Sequence, residues 1–273
     1  MTAIAKIYRW EIAKLLAQKR TYLGLSIGVV VPLIFVLAQL LRGHHGHDEG
    51  SIFFAQVTQS GLATPVVTLL IESSFFLPLA ASLVAGDIVA AEDANGTLKT
   101  ILTRSRNRGE IFAGKVLASI TYTLVIVFAM GLVGAVAGSI AWGLHPLTSL
   151  SGTKVSAGHG AALLVASLAV YVFPLAGIAA FAVFLSTVTR NSAAAVVGAL
   201  MWALLMQLLG VLPGTEAIRP YLLGTQFEAW HGFLRIPADW SPVIRAVWVC
   251  ALYIALPLAT ASVVFLRRDV AGD

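Results

Sequence analysis

Four groups of residues in this chain have the types or spacing of chemical sites. Gly109-x-x-x-x-Gly114-Lys115 has the spacing of a phosphate-cradling loop, in which backbone N–H groups and one lysine hold a nucleotide. The next residue is Val116, where magnesium needs a hydroxyl, and the segment leads into an apolar run instead of following a strand. ATP hydrolysis by this chain is therefore not expected. Gly24-Leu25-Ser26-Ile27-Gly28 has the spacing of a nucleophile elbow, which needs a strand-to-helix turn and a histidine in reach. The six histidines (His44, His45, His47, His145, His159 and His231) fall across an apolar layer of about 30 Å from Ser26. Gly24 and Gly28 read better as a small-xxx-small helix-packing surface, as do Gly134 and Gly138. His44, His45, His47, Asp48 and Glu49 are ligand types for a divalent metal. No pattern fixes their geometry, so they read as a solvated loop and no metal site is expected.

Glu72 is the most informative single residue. It sits in Thr68-Leu-Leu-Ile-Glu-Ser-Ser-Phe-Phe76, inside an apolar run, where an ionisable group is costly and marks a substrate path or proton relay. The plainer account is a carboxyl hydrogen-bonded to a neighbouring helix. Gln207, in a later apolar run, is the companion candidate for the pathway, with interhelical hydrogen bonding as its plainer role.

The elements that must position these residues are set by composition. Of 273 residues 58% are hydrophobic and 11% charged, against about 45–50% and 25% in soluble domains. Apolar runs of span length recur at about 22–41, 61–86, 111–142, 161–187, 193–212 and 243–266, which predicts an all-α integral membrane protein with six transmembrane helices in a single domain over 1–273. The first run lacks an A-x-A cleavage site and reads as a retained span. Pro32 within it is tolerable where neighbouring helices satisfy the freed carbonyl. The lone Cys250 excludes a disulfide framework and a thiolate metal cluster.

Residues 1–20 predict an amphipathic interfacial helix. Ile4, Ile7, Tyr8, Ile12, Leu15 and Leu16 form the face turned to acyl chains, and Lys6, Arg9, Lys14 and Lys19 the basic surface. The segment 213–242 is too apolar for free solvent and predicts short re-entrant or interfacial helices, with Trp230 and Trp240 at headgroup depth. One side of the layer carries thirteen Lys and Arg (five before the first span, five in 87–115, Arg190, Arg267 and Arg268), and the other carries five: Arg42, Lys154, Arg219, Arg235 and Arg245. The positive-inside rule then places both termini in the cytoplasm of a multi-pass protein of the inner or plasma membrane. The +5 net charge is spent at span ends, so no nucleic acid partner is expected.

The charged island 87–115, with nine of the thirty-one charged side chains, lies on the same cytoplasmic side. Its first half is acidic and apolar, and Asn95-Gly96 can turn the chain at low cost. Lys115 is expected to snorkel from the start of the third span.

The order of these parts, and the segment AAEDANGTLKTILTRSRNRGEIFAGKVLA over 90–118, resembles the permease subunit of an ABC-2 type exporter. The architectural resemblance covers nearly the whole chain; its outer loops are shorter than in larger members. It implies a connecting helix at 1–20 and a coupling helix at 88–103 that docks on a separate ATP-binding subunit through Glu92, Asp93, Leu98, Lys99, Ile101 and Leu102. It implies that ATP and magnesium bind that partner, and that a second permease copy completes a homo- or heterodimer. Arg104, Arg106 and Arg108 are assigned to lipid headgroups. The alternative is an ATP-independent transporter or channel that uses Glu72 as a proton or cation site; no internal repeat supports it. An intramembrane enzyme is disfavoured, because no nucleophile, base and metal fall at one depth.

Overall fold

A computed structural model describes residues 3–42, 60–97, 107–148, 152–235 and 237–267. The first helix, α1 (Ala3–Leu16), ends in a turn at Ala17 and Gln18, and α2 (Lys19–Arg42) follows. Most of the face of α1 predicted to meet lipid is turned to protein instead, while Ile4 and Leu16 remain exposed. Leu15 is buried, and Ile7, Tyr8 and Ile12 pack against the core beside the long helix α6 (Arg108–Trp142).

The predicted span 61–86 is not one helix. A 3-10 turn (Gly61–Ala63) runs into α3 (Thr64–Ser73), and α4 (Phe76–Ala85) leaves it at 65°. Pro78 explains the break. It offers no N–H to the carbonyl of Ser74, and its ring would collide with that carbonyl in a continuous helix. The bend is absorbed at Phe75 (φ −148°, ψ −49°).

After α4 come a short helix α5 (Ala90–Ala94), then α6, then a small antiparallel hairpin of β1 (Leu147–Thr148) and β2 (Lys154–Val155). The hairpin lies in what reads as a plain loop, since strands of two residues leave no periodicity to find. The helices α7 (Ala157–Thr189) and α8 (Ser192–Val211) are joined by Arg190, whose left-handed φ of 56° reverses the chain, while the Asn191 side chain accepts from Ala194 N–H at 3.1 Å. Three pieces, a 3-10 turn (Arg219–Tyr221), α9 (Leu223–Gln226) and a 3-10 helix (Ala229–Leu234), precede the last helix α10 (Ser241–Leu266).

Five described helices, α2, α6, α7, α8 and α10, are long and apolar enough to cross a bilayer, and the bent pair makes a sixth if it counts as one span. Their bounds fall within a few residues of the apolar runs. The central helix is α7, whose apolar window is two-thirds buried against α4, α6, α8 and α10. The outer faces of α2, α8 and α10 expose Leu33, Ile34, Met201, Leu205, Leu252 and Leu256, as a lipid-facing surface requires.

Small residues let the helices approach. A Cβ on Gly24 would run into the Tyr122 hydroxyl, and one on Gly138 into the Thr64 side chain and the Gly61 carbonyl. Gly61 N–H donates to Gly143 O at 3.0 Å and Ser60 Oγ to His145 O at 2.7 Å, so the start of the bent pair and the end of α6 share one end of the bundle. The other end gathers α1, α5, the start of α6, the α7–α8 turn and the end of α10.

Candidate functional site

The second of those ends contains a closed ring of four charges. Glu11 comes from α1, whose stripe at Ile4, Ile7, Tyr8 and Leu15 it interrupts; Lys14 lies one turn on, at the rim. Lys115 stands on the buried face of α6 beside Phe112 and Ala118, and Glu92 on the buried side of α5. The Lys115 ammonium is 2.9 Å from Glu11 Oε1 and 2.6 Å from Glu92 Oε2. Lys14 is 3.2 Å from Glu11 Oε2 and pairs with Glu92 Oε1. Each carboxylate thus bridges both ammonium groups, and the ring carries no net charge. Lys115 spends a further proton on the Ile88 carbonyl at 3.2 Å, the backbone that leads into α5.

Neither Glu11 nor Lys115 is exposed at all, and Glu92 is 7% exposed. Lys115 therefore does not snorkel: its side chain ends at two carboxylates inside the protein, which a lysine buried without partners could not tolerate. Its neighbour Gly114 leaves room for Ile7 of α1, where a Cβ would clash. The glycine and lysine of the phosphate-loop spacing are thus used for packing and pairing. Burial first, and then the positive charge of Lys115, hold the Lys14 ammonium down at about 8, against the pull of Glu11.

Further bonds tie the same end together. Asp87 pairs with Arg20 of α2 and accepts from Ser192 Oγ at the start of α8. Ser186 Oγ of α7 accepts from the N–H groups of Val89 (3.3 Å) and Ala90 (2.9 Å), which satisfies orphan donors at the start of α5. Tyr8 and Thr121 share a hydrogen bond of 2.9 Å.

Of the residues assigned to docking, Glu92 has its carboxylate held within the chain, and Asp93 is more open, 3.9 Å from Arg190 of the α7–α8 turn. The described part of the predicted 88–103 helix is α5; it stops at Asn95, and Gly96 takes φ +67° as the next residue. Leu98, Lys99, Ile101, Leu102, Arg104 and Arg106 lie outside the described residues, as does the loop His44–Glu49. Arg108, assigned to lipid, donates to the Leu266 carbonyl at 3.2 Å and so caps the end of α10.

Glu72 and Gln207 both lie by the break between α3 and α4, in different settings. The break frees carbonyls in the last turn of α3, and Gln207 Nε2 of α8 donates to one of them, Ser73 O, at 3.0 Å, while Tyr171 Oη of α7 donates to Leu69 O one turn back at 3.3 Å. Gln207 also lines a cavity of about 410 Å³ with Ser73 and Ser74. Glu72 does not line it. Its carboxyl is wholly buried, and among the described residues neither oxygen has a hydrogen-bond partner.

Trp230, expected at headgroup depth, is 1% exposed and is instead part of the core, its ring centroid 4.1 Å from that of His231 and tilted to it by 54°; Trp240 is open. Sequence reasoning missed Glu11. The available signal was a carboxylate at i+4 from Ile7 and i−4 from Leu15, in the middle of an otherwise apolar stripe.

A family model described as Protein of unknown function (DUF2705) matches residues 27–271. No curated protein matches the sequence.

Proposed function

The chain belongs to the DUF2705 family, and for this member we propose the role of membrane-spanning permease subunit in an ATP-driven exporter of the ABC-2 type. In this reading the bent pair counts as one span, the chain crosses the membrane six times, and the end with the charge ring faces the cytoplasm. Two permease copies enclose the pathway, and a separate ATP-binding subunit docks on the segment that begins at α5. ATP and magnesium act there and not on this chain.

The observation that carries the reading is the ring Glu11–Lys14–Glu92–Lys115. A loop that only sets topology needs no buried attachment. This one is pinned to the N-terminal helix by Lys14 and to α6 by Lys115, so a push on α5 is passed to both. Breaking one member of a buried ion pair costs about 3–5 kcal/mol, enough for the joint to move as a unit. Beyond it Asn95, Gly96 and Thr97 are exposed for contact.

A photo-reactive amino acid at Asn95 tests this in native membranes. The expected adduct is an ATP-binding subunit, and the co-purified pair should hydrolyse ATP with a rate that falls when Lys115→Met loosens the joint. An adduct with lipid alone, together with transport by the purified chain in ATP-free liposomes, would support the second reading, a proton- or cation-coupled carrier. That reading draws on Glu72, which is buried and has no hydrogen-bond partner among the described residues.

A further inference from the structure

At the end of the bundle away from the charge ring, the pieces between α8 and α10 and the start of α10 line an open cavity of about 310 Å³ whose walls include Arg219 and the exposed Arg235 and Arg245. The one acidic side chain among the residues lining it is Glu228. His231 also lines it, and burial, followed by the charge of Arg235, keeps its imidazole down at about 4 and so neutral at pH 7. Two other carboxylates stand near. Asp239 lies 3.9 Å from Arg235 and accepts from the N–H and hydroxyl of Ser241, and Glu216 lies 3.9 Å from Arg219. Neither is among the lining residues.

Arg219 holds the central position. It lines both this cavity and the 410 Å³ cavity beside it, and Thr225 and Glu228 are shared in the same way. One Nη donates to the Leu212 carbonyl at 3.1 Å, while Nε is buried and has no hydrogen-bond partner among the described residues. A buried donor on a permanently charged group is costly to leave unmet. The second cavity differs in character: Leu69, Leu70, Phe227 and Trp230 give it an apolar side.

We propose that these adjoining cavities bind an anionic amphiphile, with a phosphate or carboxylate group held by Arg219 and Arg245 and the apolar portion in the chamber beside Phe227 and Trp230. Guanidinium groups favour such oxyanions through paired, charge-assisted hydrogen bonds. Three guanidinium groups line this cavity against one carboxylate, with Glu216 and Asp239 offsetting Arg219 and Arg235 from outside the lining, so the wall itself favours an anion. Volumes of this size suit a headgroup and part of a chain. The site does not depend on whether transport uses ATP.

The test is a thermal-unfolding titration of the full chain in neutral detergent with lyso-phosphatidylglycerol, lyso-phosphatidylcholine and glycerol phosphate. Lyso-phosphatidylglycerol should raise Tm in a saturable way, and lyso-phosphatidylcholine should not. A rise with glycerol phosphate as well identifies a soluble anion as sufficient, and a rise with the lysolipid alone identifies a membrane lipid. Arg219→Gln with Arg245→Gln should weaken apparent affinity by about tenfold or more, as the loss of charge-assisted bonds predicts. Glu228→Gln, which removes the acidic wall and retains both arginines, should tighten it. Equal responses to the two lysolipids overturn the proposal, as does a double variant or a Glu228→Gln variant that titrates like the wild type.

Discussion

Lys115 and Glu11 lie 104 residues apart in sequence and 2.9 Å apart in space, and neither side chain touches solvent. The pair fixes α1 against α6, and Glu92 closes the ring from α5. In an apolar interior two carboxylates and two ammonium groups are tolerable only as a neutral set, so each member is conditional on the others.

Lys115→Met should therefore destabilise the protein by about 3–5 kcal/mol, because it leaves Glu11 and Glu92 buried with one cation between them. Glu11→Gln in the Lys115→Met background should recover part of that loss. Chemical unfolding of both variants in detergent measures the coupling, and strictly additive losses would count against a shared ring.

The sign of the pH dependence at Lys14 follows from its lowered pKa. The folded ammonium releases its proton near pH 8, while the unfolded side chain keeps it to about 10.5, so the unfolded state binds more protons between those values. This group's contribution to stability thus rises with pH across that window and is flat below it. The stability difference between wild type and Lys14→Met should shift in favour of the wild type from pH 8 to 10.5. A constant difference would show that Lys14 titrates normally.

Among the described residues no donor meets the buried Glu72 carboxyl, so removing it should cost nothing in stability. Glu72→Met is expected to raise Tm, corresponding to about 1–3 kcal/mol, the usual penalty of an unmet buried polar group. If the same variant loses pH-dependent transport, the residue is retained for function at the expense of stability. A lowered Tm would mean that the carboxyl has a partner that holds it.

Gly138 faces the Thr64 side chain and the Gly61 carbonyl, and the carbonyl cannot yield as a flexible side chain can. Gly138→Ala should push α6 away from the Gly61–Thr64 segment and cost about 1–3 kcal/mol. Gly158→Ala, where an added Cβ meets nothing, is the control and should leave Tm unchanged or slightly raised.

Much of the fold was legible from composition. Long apolar runs bound the helices within a few residues, because lipid imposes one length and one polarity on any segment that crosses it. The Asn95-Gly96 turn and the Asn191 reversal were readable from local chemistry alone. Pro78 held a local signal as well, since proline three residues into a helix forbids its continuation backward, and the 65° break follows.

The site was not legible in the same way. Glu11, Lys14, Glu92 and Lys115 each have an ordinary local explanation as interface, loop or snorkelling charge. Sequence determined their types and that all four belong to one end of the bundle. Only the tertiary structure decided that they form a ring, because pairing depends on which helix faces come together. The same holds for Trp230, whose aromatic character suited either an interface or a core until the packing of α7 and α10 enclosed it. Hydrophobicity fixes depth in a membrane one segment at a time; partners are chosen by contacts between segments far apart in the chain.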